Sequence, residues 1–132
     1  MERRAINPWS WPGGAFGFAH ANEVREAERV VLVSGQTSTN SDGQPIHAGD
    51  MAAQMAQAVD NLETVLRAAD LELSHLVRLS YYTTDLDAFG PAAAAGLAKI
   101  AESGCEVAST LLEVRRLFHP DLLIEIEATA AA

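Results

Sequence analysis

The sequence predicts an α+β fold whose elements follow the order β-β-α-β-α-β-β. Two segments carry apolar residues at steps of three and four, as amphipathic helices do, and at least five shorter runs are β-branched or alternate apolar with polar residues. Two helices on one face of a mixed sheet leave the other face uncovered. That face mixes apolar with charged residues, which suggests a subunit interface or a pocket, and a barrel closed by copies of the same chain would cover it.

The size and charge of the chain limit what it can do. A length of 132 residues suits one domain, so we expect a single domain over residues 1–132 with an irregular segment at 1–15. The net charge of −9 disfavours nucleic acid as a partner. A lone cysteine and the lack of any long apolar run predict a cytoplasmic protein with no membrane partner.

The first third of the chain predicts two strands. Two prolines in Asn7–Phe18 remove backbone donors, which indicates a loop or an irregular edge strand. Arg29–Gly35 is the clearest strand, and Ala19–Glu26 is predicted to pair with it through a turn at 26–28. Residues 40–43, Asn-Ser-Asp-Gly, give a strong turn signal.

Two helices follow from the apolar spacing. Asp50–Ala69 is the clearer one, with Asp50 as N-cap and a stripe of Met and Leu side chains on one face. Asp85–Ser103 is the second, interrupted early by Gly90-Pro91.

The remaining strands are predicted from alternation. In Leu76–Thr84, Tyr81 and Tyr82 point to opposite faces, so one of them belongs to the core. Ala108–Leu117 and Leu122–Thr129 complete the sheet, joined by a turn at 118–121.

Four short motifs occur in an order that is typical of one protein family. They are Ser34-Gly35-Gln36, a Gln-Ala-Val-Asp-Asn-Leu stretch at 57–62, Tyr-Thr-Thr-Asp at 82–85 and Ile-Glu-Ile-Glu-Ala at 124–128. Through them, residues 16–130 resemble the Rid (YjgF-type) family. The resemblance implies a chorismate-mutase-like fold, a homotrimer and a small-molecule pocket at each subunit interface.

The resemblance also implies a chemistry and its residues. Family members hydrolyse reactive enamines and imines to a keto acid and ammonia. Glu125 would position the attacking water, and the backbone N–H of Gly35 would bind a substrate oxygen. The family's carboxylate-binding arginine falls on Ser109, whose hydroxyl has no charge. Losing a buried charged partner costs about 2–5 kcal/mol, so small 2-imino acids become doubtful substrates.

Two further positions depart from the family pattern. Phe18 stands in place of a pocket tyrosine, and Leu111 in place of a cysteine two residues after the arginine. The implied pocket is therefore more apolar and favours a larger, hydrophobic or uncharged ligand. Ser109 could donate to that ligand or could simply fill space.

Four other residues are candidates with ordinary alternatives. Arg115 could replace the anion clamp, or form a salt bridge across the trimer seam. His20 could be an acid/base because its pKa lies near neutrality, or a surface histidine. Trp9 could roof the pocket or anchor its loop. Tyr82 could line the pocket. No metal-ligand spacing is present, and no cofactor is predicted.

Three functions remain open from the sequence. The first is a hydrolytic deaminase of enamines or imines with an altered substrate range. The second is a non-catalytic small-molecule-binding or regulatory trimer, which the missing arginine favours. The third is an endoribonuclease, an activity ascribed to some relatives, which the charge of −9 makes the least favoured.

Overall fold

The computed structural model describes residues 1–10 and 18–132 and has an α+β architecture. Its strands are β1 Glu2–Ile6, β2 Phe18–Ala19, β3 Ala21–Arg25, β4 Val30–Thr37, β5 Leu76–Thr83, β6 Val107–Glu113 and β7 Ile124–Ala131. Its helices are α1 Met51–Ala68, α2 Leu86–Ala92 and α3 Ala94–Glu102, with a 3-10 turn at Leu73–His75. The predicted fold class is confirmed, with three helices rather than two.

Five strands form one mixed sheet in the order β2-β6-β5-β7-β4. β6 runs parallel to both β2 and β5, whereas β7 runs antiparallel to both β5 and β4. Apolar and polar residues alternate along β7, so Ile124 and Ile126 are fully buried while Glu127 is exposed. The sheet therefore has one face against the helices and one face without a helix.

Helix α1 forms as its sequence predicts. The Asp50 carboxylate accepts a hydrogen bond from the N–H of Ala53 at 3.0 Å, which caps the first turn. Its apolar stripe is buried against β4 and β7, with Met55, Leu62 and Leu66 fully inaccessible to solvent. The chain leaves the helix through Asp70 in the left-handed conformation, at φ 56°.

The predicted second helix is divided into α2 and α3. Asp85 caps α2 by accepting from the N–H of Ala88 at 3.0 Å. Pro91 lies near the end of α2 and has no N–H to donate back to the preceding turn. The two helices meet at Ala93, which keeps right-handed helical dihedrals and donates its N–H to the carbonyl of Phe89 at 2.8 Å. The helix predicted over Asp85–Ser103, with an early interruption, is thus present as two segments that meet two residues after Pro91.

The N-terminal segment differs most from the prediction. Residues 2–6, expected to be irregular, form β1 and pair antiparallel with β3 in a two-stranded ribbon. The expected pairing of Ala19–Glu26 with Arg29–Gly35 was wrong, because β3 pairs with β1, β2 pairs with β6, and β4 pairs with β7. Residues 11–17 of the predicted loop lie outside the described part of the chain.

Side-chain hydrogen bonds to backbone carbonyls hold the ribbon to the sheet. Asn22 donates to the carbonyls of Val77 and Glu106 at 2.8 and 2.7 Å. Arg3 donates to the carbonyls of Ser74 and Glu106. Such long-range contacts carry no periodic signal in the sequence. In the described residues, no helix has the length and apolar character that crossing a membrane would need.

Candidate active site

Gly35 and Glu125 meet where β4 and β7 are irregular. Ser34 and Gly35 form a bulge between the Val33–Ala128 and Gln36–Ile126 pairs. A Cβ built on Gly35 would lie 1.8 Å from Oε1 of Glu125 and 2.7 Å from its carboxyl carbon. The half-buried carboxylate therefore rests directly on the Gly35 backbone, in space that any side chain there would fill. The structure brings these two predicted residues together.

The surroundings of Glu125 favour its protonated form. Partial burial raises the pKa of this carboxyl above its ordinary value, and the neighbouring charge of Glu127 adds to the effect. A carboxyl whose pKa moves toward neutral pH can both accept and return a proton. The environment of Glu125 is thus suited to acid/base work.

A second carboxylate beside it is held by a tyrosine. Tyr82 is the cross-strand partner of Glu125, yet its hydroxyl reaches diagonally and donates to Oε1 of Glu127 at 2.6 Å. This hydrogen bond raises the pKa of the Tyr82 phenol. Tyr81, on the other face, is buried in the core as expected for one of the pair. Alternation along β5 and β7 puts Tyr82 and Glu127 on one face but cannot predict their contact.

Ser109 and Leu111 lie on the opposite face of the sheet. They are in register with Leu79 and Tyr81 of β5, whose side chains belong to the helix-covered core. Ser109 is half-buried, and Leu111 is 41% exposed. Within one chain, the structure therefore separates these two residues from Glu125 by the thickness of the sheet.

Phe18 joins the Ser109 side of the sheet. It pairs with Val107 in the parallel β2–β6 register, and paired residues share a face. Ser109 lies two residues further along β6 on that face. Phe18, Ser109 and Leu111 therefore share one face of the sheet, and their roles in ligand binding stay predictions.

Trp9 and His20 extend this group as an aromatic cluster. The Trp9 and His20 rings meet edge to face with centroids 5.0 Å apart, and the Phe18 and His20 rings do so at 6.0 Å. Oδ1 of Asn7 accepts from the backbone N–H of His20 at 3.0 Å and lies 3.2 Å from its Nδ1. Trp9 is nevertheless 60% exposed. Asn7 was not among the predicted residues.

Arg115 is exposed and follows the end of β6, two residues after Glu113. Its role as a replacement clamp stays a prediction. The nearer arginine on β5, Arg78, donates to Oγ1 of Thr110 at 3.0 Å on the face opposite Ser109. Within residues 1–10 and 18–132, no three His, Cys, Asp or Glu side chains gather as metal ligands would.

The sheet face without helices is partly apolar. Leu32 on β4 is 78% exposed, Val30 is 60% exposed, and Leu112 on β6 is 49% exposed. Arg78 and Glu127 lie among them on the same face. The mixture of large apolar and charged groups is typical of a surface that is covered in an assembly.

A separate surface groove lies on the β1–β3 ribbon. It is lined by Glu2, Arg3, Arg4, Glu23 and Arg25. Its two carboxylates pair with two of its three arginines, with Arg4 3.0 Å from Glu23 and Arg25 3.8 Å from Glu2. None of the predicted site residues lines this groove, and we assign it no part in the candidate active site.

Comparison with known proteins identifies sequence relatives. Residues 16–132 match the model of the family described as Endoribonuclease L-PSP. The 2-iminobutanoate/2-iminopropanoate deaminase of Escherichia coli K12 is 33% identical over 102 residues, covering 76% of this chain and 78% of the relative. Protein DfrA of Myxococcus xanthus is 33% identical over 89 residues, covering 67% of each chain.

Solved structures share the fold. The Rid-family protein YyfB of Yersinia pestis is 36% identical, covers 100% of both chains and superposes with a TM-score of 0.89. The yjgF gene product of E. coli is 28% identical with a TM-score of 0.69, covering 97% of this chain and 98% of the other. Both similarities extend over essentially the whole chain.

Proposed function

Because this chain belongs to the Rid (YjgF) family, we propose that it hydrolyses reactive enamines or imines to a carbonyl compound and ammonia. The observation that carries the proposal is the half-buried Glu125 carboxyl seated on the Gly35 backbone. A carboxyl with a raised pKa, fixed beside a backbone bulge, is suited to accepting a proton from a water molecule and later returning it.

The proposed reaction needs no group beyond water. The Glu125 carboxylate takes a proton from a water molecule as the water oxygen attacks the imine carbon. The imine nitrogen gains a proton in the same step. The resulting carbinolamine has one new C–O bond. Its C–N bond then breaks as the hydroxyl proton leaves and the nitrogen is protonated, which releases ammonia and leaves the carbonyl product. An enamine enters the same path after its carbon is protonated.

The substrate site is proposed to form between copies of the chain in a homotrimer. Glu125 and Ser109 lie on opposite faces of the same sheet, so one chain cannot present both to one small molecule. The exposed Leu32 and Leu112 on the helix-free face support assembly, since burying such side chains is favourable by about 1.5–3 kcal/mol each. Assembly would bring the Glu125 of one copy toward the Ser109 of another.

The substrate range is proposed to differ from that of relatives that act on small 2-imino acids. Ser109 can donate one hydrogen bond, whereas a guanidinium would offer two and a charge. The E. coli relative is named for 2-iminobutanoate and 2-iminopropanoate. For this chain we propose imines in which binding of a carboxylate contributes less.

A non-catalytic binding trimer is the second candidate, and Ser109 is the observation that favours it. It predicts a small molecule that raises the melting temperature but is never consumed. RNA cleavage, suggested by the description of the matched family, is disfavoured by the net charge of −9.

The test compares the native protein with Glu125→Gln on imines generated in situ by an amino-acid or amine oxidase. Ammonia and carbonyl release are followed above the spontaneous rate. Removing an acid/base group lowers turnover by roughly 10²- to 10⁴-fold. Glu102→Gln, at the exposed end of α3, is the matched control and should keep the native rate. Equal turnover by the native protein and Glu125→Gln would remove this mechanism.

A further inference from the structure

The aromatic cluster of Trp9, Phe18 and His20 is held in place by hydrogen bonds and ring contacts. Asn7 fixes the backbone and ring of His20 through its Oδ1, at 3.0 and 3.2 Å. The two ring contacts, at 5.0 and 6.0 Å, join all three side chains edge to face. This fixes the rings relative to one another and leaves Trp9 60% exposed, so its indole offers surface to a ligand.

Strand pairing holds the cluster next to Ser109. Phe18 and Ala19 pair with Val107 and Ala108 on β6, and Ser109 is the next residue of that strand. Nδ2 of Asn7 lies 3.5 Å from Oε2 of Glu106, immediately before β6. The aromatic rings therefore lie beside the strand that carries Ser109, the residue on which, by the resemblance above, the anion-binding arginine of relatives falls.

The same region has little positive charge to offer an anion. Neither β2 nor β6 contains a lysine or an arginine. The Arg3 guanidinium donates to the backbone carbonyls of Ser74 and Glu106, and that of Arg78 donates to Thr110 on the other face. What the described residues present beside Ser109 is aromatic surface and Leu111, which is 41% exposed.

We propose that Trp9 and Phe18 form a subsite for an aromatic ring of the substrate, so that the preferred substrates are imines or enamines carrying an aryl or indolyl group. Ser109 then donates one hydrogen bond to the polar end of the substrate, and Leu111 packs against the ring. The inference rests on the proposed function for its chemistry, but the subsite itself is a binding property.

Binding is therefore tested separately from turnover. A Trp11→Phe background leaves Trp9 as the remaining tryptophan, whose fluorescence is titrated with phenylacetamide and with acetamide. Both probes are neutral and stable, and they differ by the ring. We expect saturable quenching by phenylacetamide and none by acetamide. Phe18→Ala should weaken phenylacetamide binding roughly tenfold, because one ring contact is lost along with its buried area.

The matched control is Phe118→Ala, which removes a 65% exposed phenylalanine from the turn before β7. It should bind phenylacetamide as tightly as the background protein does. Phe18→Tyr, which keeps the ring, should also retain binding and excludes a folding defect as the cause of the loss. Equal binding of the two probes, or equal loss in Phe18→Ala and Phe118→Ala, would overturn the subsite.

Turnover of the imine of 2-phenylethylamine separates this inference from the proposed function. Ring-dependent binding without hydrolysis supports the subsite while contradicting the deaminase. Hydrolysis of the imines of 2-phenylethylamine and ethylamine with equal kcat/KM contradicts the subsite while supporting the deaminase. Preference for the aromatic imine by tenfold or more, lost in Phe18→Ala, supports both.

Discussion

Replacing Gly35 with alanine should remove activity while leaving the fold almost unchanged. The backbone of Gly35 is not in the left-handed region, so alanine can adopt it. The added Cβ would lie 1.8 Å from Oε1 of Glu125, and real Cβ atoms essentially never come within 3.0 Å of another atom. The carboxylate must therefore move by at least about 1.2 Å, which the flexible end of a glutamate side chain can do.

The two consequences differ in size. Moving a flexible, half-exposed side chain should change the free energy of unfolding by less than about 1 kcal/mol. A displacement of about 1 Å in a catalytic group costs on the order of 10²-fold in rate. Urea unfolding and imine hydrolysis measure the two effects on the same preparation.

Gly90→Ala provides the control, because a Cβ there meets no atom within 4 Å. It lies in α2, where alanine is the better helix former, so stability should rise by up to about 1 kcal/mol with native turnover. If Gly35→Ala keeps native activity, the contact between Gly35 and Glu125 has no part in the chemistry. If Gly35→Ala unfolds, the flexibility assigned to Glu125 is wrong.

Three further predictions concern pH, assembly and the core. The pKa of Glu125 in the folded protein lies above its ordinary value of 4.5, so ionisation of this carboxyl above that pH destabilises the fold. In urea titrations, Glu125→Gln should therefore increase the free energy of unfolding at pH 7.5 and not at pH 4. A gain of equal size at both pH values would contradict this. Leu32→Asp replaces a 78% exposed leucine of the helix-free face with a charged residue and should shift the mass in sedimentation from three times 14.1 kDa to 14.1 kDa. Thr64→Asp, on the exposed surface of α1, is the control and should leave the mass unchanged. An unchanged mass in Leu32→Asp would argue against an interface on this face. The buried Gln54 side chain donates to the carbonyls of His47 and Asp121 at 3.1 and 2.7 Å and accepts from the N–H of Leu123 at 2.8 Å. Gln54→Ala should therefore lower the free energy of unfolding in urea by about 3 kcal/mol, and a loss below about 1 kcal/mol would show that water replaces these hydrogen bonds.

The sequence predicts those parts of the fold that depend on local signals. α1 begins and ends within a residue of the predicted bounds because its N-cap and its apolar stripe lie in one stretch of chain. β7 is identified by alternation, although it runs to Ala131 and not only to Thr129. β6 ends at Glu113, before the predicted Leu117. The observed strand ends differ from the predicted ones because the last backbone pairs depend on the neighbouring strand.

Pairing across long sequence distances was not predictable in the same way. β1 consists of Glu-Arg-Arg-Ala-Ile, whose charges give no strand signal, and it is held by bonds from Arg3 and Asn22 to distant carbonyls. The strand Ala21–Arg25 is adjacent in sequence to β4 but pairs with β1. β4 pairs with β7 and is the last strand of the sheet, so the segment next to it in sequence is not its partner.

In the candidate site, too, some features follow from local sequence signals and others depend on contacts between distant parts of the chain. Glu125 and Gly35 came from short motifs, and the structure brings them together at the β4 bulge. Ser109 and Phe18 came from the same resemblance, yet they lie across the sheet from Glu125. The contacts of Tyr82 with Glu127 and of Asn7 with His20 had no sequence signal, because each depends on side-chain reach between separate strands or loops.

The most direct test of the account compares hydrolysis of the freshly generated imines of alanine and phenylalanine by the native protein and by Ser109→Arg. We expect the native protein to act on the aromatic imine and poorly on the small one. Ser109→Arg should gain at least about 30-fold on the small one, because it supplies a bidentate cation. Inactivity of both proteins on both imines, at native melting temperatures, would contradict the proposal that only the anion clamp differs from that of relatives acting on 2-imino acids.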